Sequence, residues 1–235
     1  MKTKSLLLLS IIILISTSLL FIGKWAETVI LFDTLPLIIN KNIAYQSVTL
    51  ILTFFILLFL CLNRRHEFSV HFRKGDISAQ FVPEPWIGLK PKSTENWMQI
   101  GRNLAIIITV VTCIIIFFQI ISQYEINWES WLKFLPYVLV FSVVNSFVEE
   151  MITRFGVIVS LKGFFSDKII SFVSALLFGT IHFYGTPGGI AGVLFSGFLG
   201  WFLAKSIIET KGIFWAWLIH FLQDIVIFSA MVMIL

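Results

Sequence analysis

The sequence predicts an all-α, polytopic transmembrane helical bundle of about seven spans, and three observations carry that prediction. Of its 235 residues, 58% are hydrophobic and only 13% are charged, whereas about a quarter of a soluble domain is charged. The mean hydropathy is +0.95. The apolar residues also fall in separate runs of about 20, the length a helix needs to cross the hydrocarbon core. In lipid every backbone polar group must be satisfied internally, so such runs read as helices.

The spans expected along the chain are roughly 5–23, 43–62, 104–122, 131–161, 168–184, 189–208 and 212–234. Lys2 and Lys4 precede the first run, as in a secretory signal. That run is long for a signal core and no A-x-A-like site follows it, so a retained helix is expected. The fourth span is longer than a crossing requires, which implies tilt or extension beyond the membrane. The sixth carries small residues at four-residue spacing, Gly188, Gly192, Ser196, Gly200 and Ala204, which lets a neighbouring helix approach closely. Cys61 and Cys113 lie in apolar runs and read as free thiols rather than a disulfide framework.

Charge sets the expected orientation. The net charge is +4, and much of the basic excess lies between Asn63 and Asn103, in Arg64, Arg65, Arg73, Lys74, Lys90, Lys92 and Arg102. This uneven placement points to membrane topology, not to nucleic-acid binding. The positive-inside rule puts the basic segment and the N-terminus in the cytoplasm. The loop at 122–130, with Glu125 and Glu129, then lies outside, and Lys162, Lys168, Lys205 and Lys211 return to the inside. Three regions follow: an N-terminal transmembrane hairpin (1–62), a basic cytoplasmic or interfacial segment (63–103) and a transmembrane core (104–235). The expected location is a bacterial cell membrane, crossed several times.

Ionisable residues inside spans are costly and mark functional candidates. The fourth span reads S-F-V-E-E-M-I-T-R-F-G, with Glu149, Glu150 and Arg154. The fifth holds F-G-T-I-H-F, with Phe178 and His182, and the seventh W-L-I-H-F-L-Q-D, with His220 and Asp224. At about 1.5 Å per residue from the cytoplasmic ends, Glu150 lies about 16 Å deep, His182 about 21 Å, His220 about 12 Å and Asp224 about 18 Å. Three helices thus carry polar groups to similar depths. Glu150 and Arg154 share a face and can pair. Glu149 sits about 100° around the helix, without an obvious local partner, and is free to serve as a general base. His220 and Asp224, four apart, can donate to an oxyanion, Asp224 only when protonated; alternatively Asp224 orients His220. Each residue alone has a structural reading, a lone histidine as a helix–helix hydrogen bond and Glu150–Arg154 as a packing pair. Tyr184, Gln223 and Asn145 are read as structural.

The ordered set E-E-x-x-x-R, F-x-x-x-H and H-x-x-x-D resembles the CPBP family, the CAAX prenyl protease type 2 and bacteriocin-processing proteins also called the Abi family. The resemblance covers roughly Val138 to Leu235 and leaves the first two spans without a counterpart. Phe155 stands between Arg154 and Gly156 where the family often has glycine directly after the arginine. Asp224 stands where the family also uses asparagine, which weakens a simple amide-donor oxyanion hole. The resemblance implies a membrane-embedded endopeptidase acting on a prenylated, lipidated, peptide-leader or other membrane-protein substrate, with membrane lipids around it.

The mechanism expected is peptide-bond hydrolysis by water. Glu149 is the base, His182 positions the water, His220 and Asp224 stabilise the oxyanion, and Glu150 with Arg154 supports them. Water is expected to enter from the cytoplasmic side. A metal-dependent version would use a divalent ion such as zinc, held by His182, His220 and Glu149. No H-E-x-x-H run is present. Two readings stand outside catalysis: a non-proteolytic immunity or regulatory protein that binds a peptide or membrane partner, and an ion-coupled transporter. The small number of spans and the lack of an inverted repeat count against the transporter.

Overall fold

The computed structural model describes residues 2–235, apart from the side chain of Lys2, one of the charges counted for orientation. Its helices are α1 (Lys2–Ala26), α2 (Leu37–Asn63), α3 (Arg65–His71), α4 (Trp97–Gln119), α5 (Trp128–Glu150), α6 (Gly156–Leu161), α7 (Asp167–Ile181), α8 (Gly189–Thr210) and α9 (Phe214–Met233). A π-helical turn, Met151–Phe155, joins α5 to α6 without a break. Among the described residues six helical stretches are long and apolar enough to cross a membrane. The chain is therefore an integral membrane helical bundle.

The fifth span differs from expectation. The apolar run spans 168–184, but α7 has 15 residues and ends at Ile181, followed by a 3-10 turn from His182 to Tyr184. Fifteen residues rise about 22 Å, short of a full crossing. The α7–α8 hairpin thus turns early, with an exposed tip at Phe183 and Tyr184 and His182 at its inner edge. The small-residue ridge of α8 makes this hairpin tight. A Cβ on Gly192 would stand 2.2 Å from the Pro187 carbonyl oxygen, and one on Gly200 would stand 3.1 Å from Cβ of Phe178. Gly179 of α7 is equally confined, its notional Cβ 2.8 Å from the Val193 carbonyl oxygen.

The third span starts earlier than expected, at Trp97 instead of 104. The cause is a capping box: the Asn96 side chain accepts from the Met98 N–H, and the Gln99 side chain accepts from the Asn96 N–H. The preceding basic segment is fastened to the ends of α8 and α9. Asp76 N–H donates to the Thr210 carbonyl at 2.8 Å, Ile213 N–H to Arg73 at 2.9 Å, and Trp215 Nε1–H to Ile77 at 3.0 Å. Gly75, at φ +81°, lies so close to Gly212 that no side chain fits. A buried lysine completes the attachment. Lys205 of α8 bridges Glu84 at 2.9 Å and Glu209, and lies over the Phe81 ring. Glu209 also accepts from Trp97 Nε1–H at 2.9 Å and Val82 N–H at 3.1 Å.

The main hydrophobic core runs from Ile12 of α1 through Met151, Phe155 and Ile158 to Phe202, Ile207, Trp215 and Ile219. It surrounds the π turn, so all of Met151–Phe155 is buried. At the opposite end the Asn40 side chain closes the α1–α2 loop by accepting from Leu31 and Phe32 N–H groups.

Candidate active site

Three helices bring the predicted polar residues together. Glu150 and Arg154 are both fully buried, with Arg154 Nη1 3.3 Å from Glu150 Oε1. The same carboxylate oxygen is 2.7 Å from His220 Nδ1, reaching across from α9. A carboxylate oxygen can only accept, so Nδ1 carries the proton it donates. The other ring nitrogen, Nε2, faces Glu149 Oε2 at 3.4 Å and Asp224 Oδ1 at 3.8 Å. With Nδ1–H committed to Glu150, Nε2 can donate only when the ring is an imidazolium.

Asn145, read from the sequence as structural, belongs to this cluster. Its Nδ2 donates to Glu149 Oε1 at 3.3 Å and to Asp224 Oδ2 at 3.2 Å. It therefore ties α5 to α9 and places an amide N–H₂ beside the aspartate. The four-residue spacing from Asn145 to Glu149 was the signal available for it. Gln223, also read as structural, does join helices: its Nε2 donates to Thr109 of α4 and to the Ile219 carbonyl. Tyr184 is largely exposed at the hairpin tip.

Phe178 organises the remaining members. The Arg154 guanidinium lies 3.4 Å from its ring centroid, a cation–π contact in a desolvated place. The rings of His182 and His220 pack against it at 4.1 and 5.6 Å. His182 Nδ1 is 2.9 Å from the Phe178 carbonyl oxygen. That acceptor fixes the proton on Nδ1 and leaves the Nε2 lone pair available.

Several polar atoms here lack partners. Glu149 Oε2, Glu150 Oε2, and Nε and Nη2 of Arg154 are buried without a hydrogen bond among the described residues. Native interiors rarely leave such atoms unpaired, and a set of them at one place marks a strained or reactive centre.

Two cavities meet at the cluster. One, of about 400 Å³, is walled mainly by apolar residues of α4, α8 and α9, including Ile107, Val111, Phe195 and Ile227, and reaches Glu149, His182, His220 and Asp224. The other, of about 600 Å³, lies between α1, α2 and α7 and is lined by Lys24, Glu27, Lys41, Tyr45 and Thr153 as well as Glu149 and His182. The charged mouth of the second cavity, at Lys24, Glu27 and Lys41, lies at the end of the bundle away from the basic segment, which packs on the ends of α8 and α9. Tyr45 was not singled out from the sequence; nothing in its apolar helix pointed to it.

The donor set considered for a metal does not fit one as arranged. Among the described residues no three His, Cys, Asp or Glu side chains are grouped to hold an ion. His220 Nδ1 is held by Glu150 and His182 Nδ1 by the Phe178 carbonyl, so Nε2 is the ring nitrogen each histidine has left.

No curated protein and no solved structure matched the chain. Residues 130–226 match the model for type II CAAX prenyl endopeptidase Rce1-like proteins, from the start of α5 to the middle of α9. Every side chain of the cluster lies within that segment, which is similar to type II CAAX prenyl endopeptidases of the CPBP family.

Proposed function

We propose that the protein is an intramembrane endopeptidase that hydrolyses a peptide bond of a prenylated or otherwise membrane-associated substrate, using water activated by Glu149. The observation that carries the reading is the His220 imidazole held between Glu150 and Glu149, at the meeting point of two cavities inside apolar helices.

In this reading Glu149 takes a proton from water as the oxygen attacks the scissile carbonyl, and that proton passes to the departing amine nitrogen. The products are a carboxylate and an amine. His182, through its free Nε2 lone pair, accepts from the water and positions it. His220, as an imidazolium, faces the developing oxyanion with Nε2–H while Nδ1–H holds to Glu150. Asn145 spends both amide hydrogens on Glu149 and Asp224 and so holds these two carboxylates in register from α5. Glu150 and Arg154 fix His220 and the Phe178 ring. The apolar cavity suits a substrate with a hydrocarbon chain or apolar side chains. The N-terminus and the basic segment lie in the cytoplasm of a bacterial cell by the charge rule.

The test uses the full chain in liposomes with an internally quenched, farnesylated C-terminal peptide. Glu149→Gln lowers kcat by about 10² or more, with the helical content and melting temperature of the parent. Full activity in that variant refutes the assigned base.

A further inference from the structure

Glu149, Phe178 and His182 line both cavities and so form the partition between them. The two cavities differ in chemistry and in what they open onto. The α4–α8–α9 cavity has Ile107 of α4, 55% exposed, and Phe195 of α8, 47% exposed, among its walls. Helix α4 packs on α9 and α8 on α7; α4 and α8 face each other across the cavity, whose mouth therefore opens onto hydrocarbon. Water arriving by that path would first have to cross lipid, where nothing replaces its hydrogen bonds.

The cavity between α1, α2 and α7 begins at an ion pair instead. Lys41 Nζ is 2.6 Å from Glu27 Oε1, and both side chains are solvated, at 34% and 57% exposure. From there polar groups continue inward, with the side chains of Asn42, Tyr45 and Thr153 leading to Glu149. The space, about 600 Å³, is large enough for several waters at about 30 Å³ each.

We infer that the hydrolytic water reaches Glu149 through this α1–α2 cavity, while the substrate enters the apolar cavity, so that the two reactants meet the carboxylate from opposite sides. The inference rests on the hydrolase reading above. It gives the N-terminal hairpin, which lies outside the family match, a part in the reaction as the wall of the water path.

Gly23 offers a way to test it. A Cβ added there meets nothing closer than the Tyr45 ring at 3.9 Å, so a cysteine fits. With Cys61 and Cys113 changed to serine, Gly23→Cys and, in the apolar cavity, Val111→Cys are reconstituted in liposomes. Each is treated with the membrane-impermeant reagent sulfonatoethyl methanethiosulfonate. Gly23→Cys reacts at least about tenfold faster than Val111→Cys. Its modification lowers kcat on the farnesylated reporter about tenfold at unchanged KM, and dithiothreitol restores it. Modification of Val111→Cys by a small alkyl methanethiosulfonate raises KM instead.

An unreactive thiol at Gly23→Cys overturns the inference, as does a modified protein that keeps its kcat. If the unmodified parent cleaves no reporter at all, the hydrolase reading is what fails. The thiol reaction rates then still decide whether the cavity is wet: fast reaction at Gly23→Cys sustains a water-filled path, and slow reaction removes it.

Discussion

Lys205 and Arg154 are both cations buried in apolar helices, yet their surroundings differ in one respect that separates structure from chemistry. Lys205 lies between Glu84 and Glu209, and those carboxylates also receive Trp86 Nε1–H, Trp97 Nε1–H and Val82 N–H. Arg154 has one carboxylate partner, one hydroxyl and the face of a phenyl ring, with two guanidinium nitrogens left unpaired. Around it three carboxylates share one guanidinium and one imidazole. A saturated network rigidifies, because no group in it gains by moving. An unsaturated one bordered by cavities keeps donors and acceptors free for a substrate. The first cluster fastens the basic segment; the second leaves polar atoms unpaired beside two cavities.

The largest expected effect breaks the second cluster at its cation. Arg154→Leu leaves Glu150 buried beside His220 without its counter-charge, at a cost of about 3–5 kcal/mol. A marked fall in folded yield and melting temperature would be measured. Lys205→Met acts on the first cluster and strands Glu84 and Glu209, costing about 3 kcal/mol. Here the loss is in thermal stability, while kcat per folded molecule stays at the parental value. Loss of kcat without loss of stability in Lys205→Met would erase the distinction between the clusters. Asn145→Ala removes the amide that spans Glu149 and Asp224, with a drop of about tenfold in kcat, or about 1.4 kcal/mol. Its melting temperature shifts little.

The smallest effect is one of pH. Burial raises the Glu84 carboxyl, but the Lys205 ammonium and the Trp86 N–H outweigh it and hold the group below the usual carboxylate range. A carboxyl that is lowered on folding stabilises the fold above its unfolded value, and that contribution fades as pH falls through the folded one. The melting temperature of the parent therefore drops in mild acid. Lys205→Met shows a shallower acid drop than the parent.

Much of this was legible in sequence because the bilayer makes polarity conspicuous. Glu149, Glu150, Arg154, His182, His220 and Asp224 stand out from apolar runs, and their depths could be compared from helix rise alone. Asn145 did not stand out, because an uncharged amide in a helix is cheap, and its partner Asp224 is 79 residues away. Tyr45 is aromatic in an apolar helix and gave no contrast. The short α7 was hidden because apolar residues continue through the 3-10 turn after its last helical hydrogen bond. The capped start of α4 escaped because hydropathy finds the membrane-facing part of a helix and not its first turn.

The π turn at Met151–Phe155 starts directly after Glu150, contains Arg154 and is buried throughout. Such a turn holds one more residue than a regular helix of the same rise. The spacing of the glutamates against everything that follows is therefore stored in a local excess of backbone. Deleting a single residue such as Ile152 would let the helix wind regularly and swing its two halves by about 100° relative to each other. No side chain would be lost from the cluster, but Glu150 and Arg154 would no longer share a direction. The alignment of this centre is thus a matter of chain length as well as of residue identity, and indels in this turn are harsher than most substitutions.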